Sequence, residues 1–362
     1  MRLSINRALA AASAVVLTTS LGVFAAAAPA LADTDLGLPG YGDLVANDEH
    51  DRVFISGGPS SNGITVTDLD GEVIKQIKNQ YGATGLAQDD DTEWIYAALT
   101  SGDAITEIDV HTLEESDKIQ LPANTCPTHL VYAGDVLWFG HGCDGNWDGG
   151  IGRITWPEPT EENPDPAPVY KLNVQGDLRF QRAPLIAAHF EEVEEGEPYK
   201  AGTLVAAQLN LSLSTVYVYD INEDNGLTTR TSSTAPGSNL FDIGLDKYGE
   251  TLLTGAGGRN ATQAYATADL SGRGSYYTGY HPLAVAAAPD DCYVVSGVRS
   301  TGDDIYLYEN GGVVPEKRID ISEDVLAPRG LTWSDDMEHL YAVTVPPAGG
   351  APELHVIHDW KS

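Results

Sequence analysis

Basic residues are scarce in this sequence. Its 362 residues include 20 Lys and Arg against 53 Asp and Glu, a net charge of −33. A surface of that sign repels phosphate backbones and anionic lipids, which argues against nucleic acid as a partner. Sulfur is scarce too, with three cysteines and two methionines. Three cysteines do not make a disulfide scaffold; in an oxidising compartment two can pair and one is left over. The sequence has no G-x-S-x-G elbow, no H-E-x-x-H and no P-loop, so the familiar hydrolase, zincin and nucleotide signatures are missing. Beyond the first 32 residues no run is apolar enough to span a bilayer, and no sorting motif or hydrophobic tail precedes Ser362. Membrane insertion of the remaining chain is therefore not expected.

The first 32 residues read as a leader. Arg2 and Arg7 precede an Ala-, Val- and Leu-rich run that ends in Pro29-Ala30-Leu31-Ala32. That is the build of a secretory signal peptide with an A-x-A site, in contrast to the longer run of a membrane anchor. Cleavage after Ala32 leaves residues 33–362 as the mature chain, and loss of the two arginines takes its net charge to −35. The expected destination is outside the cell or at the cell envelope.

What the mature chain has in quantity is repetition. An apolar pair opens each phrase, a turn with Asp, Asn or Gly follows, then further short strands with alternating residues. The openings are Asp43-Leu44-Val45, Gly85-Leu86, His129-Leu130-Val131, Pro184-Leu185-Ile186, Asp242-Ile243, Leu283-Ala284-Val285 and Gly330-Leu331. Most recur every 42 to 46 residues, the period of a four-stranded propeller blade. The clearest phrase runs from Gly85 through the acidic turn Asp89-Asp90-Asp91 to strands at 94–99 and 104–109. Two intervals are longer, and their excess sits in the Glu- and Pro-rich stretches 157–168 and 191–200, which read as exposed loops. The expected fold is all-β: a single seven-bladed β-propeller of four-stranded antiparallel blades over residues 33–362. A right-handed β-helix also repeats strands, but with a shorter period. The last phrase ends after a third strand at Glu353–Ile357, so the segment from Asp35 to Tyr41 is expected to supply the missing outer strand and join first blade to last.

The phrase Gly85-Leu86 with Trp94-Ile95-Tyr96-Ala97-Ala98-Leu99 resembles the repeat of secreted YVTN and lactonase-like propellers. The stretches 125–130, 140–147, 176–184, 211–216 and 269–274 are similar to the N-terminal propeller of exported actinobacterial surface proteins that carry Ig-like repeats. The resemblance implies the fold and secretion. It brings no lactonase catalytic set, and no Ig-like repeats follow the propeller in this sequence.

Blade geometry places the residues before a first strand beside the loop after the second. This puts Cys126 next to Cys143, and a disulfide is expected there; a reactive thiol pair lacks its C-x-x-C spacing. Cys292 opens an inner strand and reads as a buried small hydrophobe. The loop after Cys143 carries Asp144, Asn146 and Asp148 before Gly149, the opening of a calcium loop, although Thr155 stands where a bidentate Glu belongs and Asx-rich turns need no metal. No motif requires a cofactor; calcium is the one ion this spacing suggests.

On the same face His129, Arg182, His281 and Arg329 precede inner strands, with Arg259 and Arg299 in nearby loops. Such a basic ring either receives a carboxylate or hydrogen-bonds neighbouring blades around the channel. Asp43 and Asp242 hold equivalent positions. Among the tryptophans, Trp138 reads as core, while Trp147, in the loop, is the candidate for an exposed ligand or sugar contact; Trp156 and Tyr132 lie nearby in the blade. Three functions fit this inventory. The leading one is a non-enzymatic, monomeric binding or scaffold module for a ligand or a cell-envelope or extracellular partner. The others are a lactonase-like or lyase-like enzyme at the channel mouth and a structural envelope component without a small ligand.

Overall fold

The computed structural model describes residues 31–360, apart from 90–92, 146, 162, 165, 191–201, 301, 322, 348–349 and 359. The leader up to residue 30, the turn residues Asp90 and Asp91, Asn146 and the insertion 191–200 thus lie outside the described residues.

Seven antiparallel sheets of four strands each make up the fold, the seven blades of a propeller. Among the described residues the only helix is a single 3-10 turn, Asp48–His50. The innermost strands are Leu44–Asn47, Ala83–Gln88, Pro127–Tyr132, Leu185–His189, Leu240–Leu245, Pro282–Ala287 and Val325–Trp333. Second strands such as Trp94–Leu99 and Val136–His141 are buried on both faces, because each blade packs between two others. Outer strands such as Glu114–Gln120 carry the charge. Apolar seams between blades are the core: Phe54, Ile64 and Val66 of blade 1 meet Leu86, Ile95 and Ala97 of blade 2 in one cluster.

Close blade contact needs glycine at particular points. A Cβ on Gly140 would lie 2.2 Å from the Pro184 carbonyl oxygen, and one on Gly85 would lie 2.5 Å from that of Thr128. These two glycines let blade 2 approach blade 3 and blade 3 approach blade 4.

The ring closes with a strand from the other end of the chain. Leu31–Asp35 pairs antiparallel with Glu353–His358 as the outer strand of blade 7. The strand overlaps the expected segment 35–41 only at Asp35 and otherwise lies upstream of it. Leu36 and Leu38 are instead buried in the seam between blades 1 and 7, and the Leu36 carbonyl accepts hydrogen bonds from Thr65 Oγ1 and Gln76 Nε2, both at 2.8 Å. The described residues of the 157–168 stretch lie between the third and fourth strands of blade 3 and form no strand. The expectation for Cys292 needs correction: it is exposed, one residue before Tyr293–Val298, in a turn where Asp290 Oδ1 accepts from its amide at 2.9 Å.

Candidate functional site

Register shifts mark most of the strand starts around the channel mouth. In blades 2, 3, 5, 6 and 7 the innermost strand slips against the second strand near its start, for example between Pro127 and His129, between Leu240 and Asp242, and between Leu326 and Leu331. A bulge of this kind turns one residue away from the ladder. At Arg329 the backbone enters the left-handed region, with φ of 60°.

Here His129 and Arg329 come together. Arg329 donates through Nη1 to His129 Nδ1 and through Nη2 to the Gly42 carbonyl. Its Nη1 is 3.9 Å from Asp43 Oδ2. The Tyr41 hydroxyl donates to the Arg329 carbonyl at 2.9 Å, a partner not anticipated because Tyr41 stands in the entry segment outside every repeat. With Nδ1 accepting, the neutral His129 carries its proton on Nε2, which is buried and has no hydrogen-bond partner among the described residues. Burial, then the adjacent Arg329 charge, holds its imidazole well below the usual range, so the ring is neutral.

The two aspartates act alike. Asp43 Oδ1 accepts from its neighbour Leu44, and Oδ2 accepts from the Leu86 amide of blade 2 at 3.1 Å. Asp242 Oδ1 accepts from Ile243, and Oδ2 accepts from the Val285 amide of blade 6 at 2.8 Å. Each carboxylate therefore stitches its blade to the next. Burial raises both, Asp242 to about 7. Together with His129 and Arg329 they line a cavity of about 180 Å³ at the top of the channel.

Neither Arg182 nor His281 lines that cavity. Arg182 points to the disulfide loop, with Nε 3.5 Å from Asp144 Oδ1. The Cys126–Cys143 disulfide is formed, with a Cα separation of 5.3 Å. Asp103 steadies the strand entry beside it, accepting from the amides of Asn124 and Cys126 at 2.9 and 2.8 Å. Beyond the bridge, Asp144 and Asp148 are exposed, and Trp147 is 55% exposed with φ of 56°. Trp138 is core, and its Nε1 donates to the Ala133 carbonyl. Trp156 is half-buried against Tyr96 and Tyr132 and donates to Glu107 at 3.2 Å.

His281 stands at the edge of a second hollow on the same face, a cleft of about 470 Å³ shared by blades 5, 6 and 7. Phe241, Leu283, Val325, Leu326, Val345 and Pro347 give it apolar walls, and His281 and Arg299 are its basic groups. His281 Nδ1 lies 3.1 Å from the Arg259 carbonyl, and Arg259 donates to Ala235. Repeat spacing named the two cations of this cleft but not its walls. They come from bulged strand starts and the Pro346-Pro347 loop, which have no distinctive pattern.

No protein-family model matches the chain, and no curated protein matches it. Solved structures share its fold. The β-propeller domain of Cps50 (Swd1) from Myceliophteria thermophila is 11% identical with a TM-score of 0.62, over 90% of this chain and 99% of that one. A chain of Kuenenia stuttgartiensis hydrazine synthase is 16% identical with a TM-score of 0.61, covering 91% and 98%. A chain of the Mitotic Checkpoint Complex is 12% identical with a TM-score of 0.65, covering 96% and 99%. At such identities the likeness defines a class by fold, the β-propellers, and no activity.

Proposed function

We propose that this protein is an exported, non-enzymatic, monomeric propeller that binds its partner on the face bearing the channel mouth, through an apolar group that ends in a carboxylate. The observation that carries the reading is the cleft of blades 5–7: apolar walls with His281 and Arg299 at its edge, on a chain of net charge −33. Cations are rare on this molecule, so a site that holds two of them beside apolar walls suits an amphipathic anion. The polar groups of the channel mouth speak against a catalytic reading there. His129 and Arg329 bond to one another, and both aspartates hold amides of neighbouring blades.

Export is supported by the leader pattern, the disulfide and the resemblance to secreted YVTN-like propellers. Among the described residues no helix is long and apolar enough to cross a membrane. Trp147, in the loop beyond the disulfide, and Arg182, which reaches that loop through Asp144, extend the same face toward a larger partner. Calcium at Asp144, Asn146 and Asp148 is part of this proposal as an ordering ion for that loop.

A thermal-shift and calorimetric screen of aliphatic and aromatic carboxylates, with the corresponding amides as controls and calcium or EDTA as separate arms, tests the reading. Carboxylates are expected to stabilise the wild type, and Arg299→Ala and Phe241→Ala to lose at least tenfold in affinity. Equal binding of acids and amides, or of wild type and Arg299→Ala, refutes the anion site.

A further inference from the structure

On the opposite face, at the seam of blades 1 and 2, three side chains converge that the binding reading does not use. His50 ends the 3-10 turn Asp48–His50 after the innermost strand of blade 1. Glu93 and His111 come from blade 2, on either side of one ladder rung: the Glu93 carbonyl accepts from the Val110 amide at 3.2 Å. Their ligand atoms all lie within 4.8 Å of one another.

The tautomer of His50 is set by its surroundings. Asn47 is fully buried, and its Oδ1 accepts from the His50 amide at 3.0 Å, which fixes the amide orientation. The same oxygen is 3.0 Å from His50 Nδ1. An oxygen can only accept, so Nδ1 carries a proton, and in the neutral ring the lone pair of Nε2 faces Glu93 Oε1, 3.9 Å away. Two electron-rich atoms thus face each other across a gap that one ion with bonds of about 2.0–2.2 Å spans. His111 Nε2 is 2.8 Å from the other carboxylate oxygen, Oε2. Its turn is held by Asp109 Oδ1, which accepts from the amides of His111 and Thr112 at 2.9 and 2.7 Å. A metal-binding histidine usually donates its other ring N–H to an oxygen acceptor that fixes the ring, and the buried Asn47 Oδ1 fills that place here.

We infer that His50, Glu93 and His111 form a binding site for a divalent transition metal of the zinc class, with a fourth position open to water. Two imidazoles and one carboxylate favour such an ion over calcium or magnesium, which take oxygen ligands. Because His50 belongs to blade 1 and the other ligands to blade 2, the bound ion cross-links two blades.

The test is titration of the full chain, stripped with EDTA, with Zn²⁺ by calorimetry and with Co²⁺ by visible absorbance. His111→Gln is the main variant, since the side chain is 60% exposed and its loss leaves the core intact. His50→Gln is the second. His358→Gln is the control, because Asp70, His339 and His358 form another His/Asp grouping at the blade 7–blade 1 seam. The expected result is one equivalent of Zn²⁺ bound at micromolar affinity or tighter, weakened at least tenfold in His111→Gln and His50→Gln and unchanged in His358→Gln. Cobalt absorbance is expected to follow the same order. Absence of Zn²⁺ binding to the wild type overturns the site and leaves a His–Glu ion pair only. So does a loss of binding confined to His358→Gln. The carboxylate site lies on the other face, so failure of either proposal leaves the other standing.

Discussion

Asp43 and Asp242 each serve two blades, one oxygen capping the start of their own strand and the other taking an amide from the next. Such a role is costly in charge, because the group sits away from water. Burial brings Asp242 to about 7, so the folded protein keeps this proton where the unfolded chain has released it. Its contribution to stability is complete below about pH 4 and is lost as the pH rises through about 7. His129 slopes the other way. Its imidazole is held well below 6.5, so its contribution is present above that value and lost as the pH falls. Urea denaturation at several pH values between 4 and 8 separates the two. Asp242→Asn cannot titrate and is expected to flatten the decline between pH 4 and 7. A variant curve parallel to the wild type would mean that Asp242 is ionised at neutral pH. Repeat spacing identified these residues and the face they share. It did not show that His129 meets Arg329 while Arg182 turns to Asp144, because that outcome depends on bulges and a left-handed backbone at Arg329.

Among the elements, strand limits were most legible where turn residues bracket them: Trp94–Leu99 and Ala104–Asp109 lie where alternation and the Ser101-Gly102-Asp103 turn put them. Cys292 was misplaced because an apolar run shows no edge, and the turn held by Asp290 takes the residue out of the strand. The closing strand was displaced for the converse reason. Asp33-Thr34-Asp35 has little apolar character, as suits an outer strand, whereas the apolar Leu36 and Leu38 are a seam. The disulfide followed directly from the antiparallel return of blade 3. Its 17-residue separation gives a contribution of about 3 kcal/mol through the unfolded chain. The double variant Cys126→Ser, Cys143→Ser is expected to lose about that much in chemical denaturation and to be cleaved sooner by protease near Trp147. Unchanged stability would show that the Asp103 contacts already hold the loop.

For the whole molecule, the ring depends on a clasp between distant parts of the chain. Asp33 Oδ1 is 2.8 Å from Nδ1 of the buried His355, whose Nε2 is 2.7 Å from Thr344 Oγ1. Cleavage after Ala32 would preserve the pairs of Asp33, Thr34 and Asp35 with His355, Leu354 and Glu353. Removing residues 33–35 from the mature chain is expected to cost at least about 2 kcal/mol, since it strips the outer edge of blade 7 and the partner of His355. Thermal unfolding of that truncation beside Asp33→Ala divides the strand's share from the side chain's. Seven blades were countable in the sequence because every blade repeats one set of turns; the clasp was harder to place because it occurs once.

That clasp also sets an order of events. Six blades are drawn from contiguous stretches and can form as the chain emerges, but Leu31–Asp35, the earliest described strand to be synthesised, finds its partner only when Glu353–His358 arrives. Until then the protein is an arc with two raw ends, and the apolar surface of blade 1 that will meet blade 7 is uncovered. A chain truncated within the last blade is therefore expected to form an open crescent with the apolar face of blade 1 uncovered, and not a smaller ring.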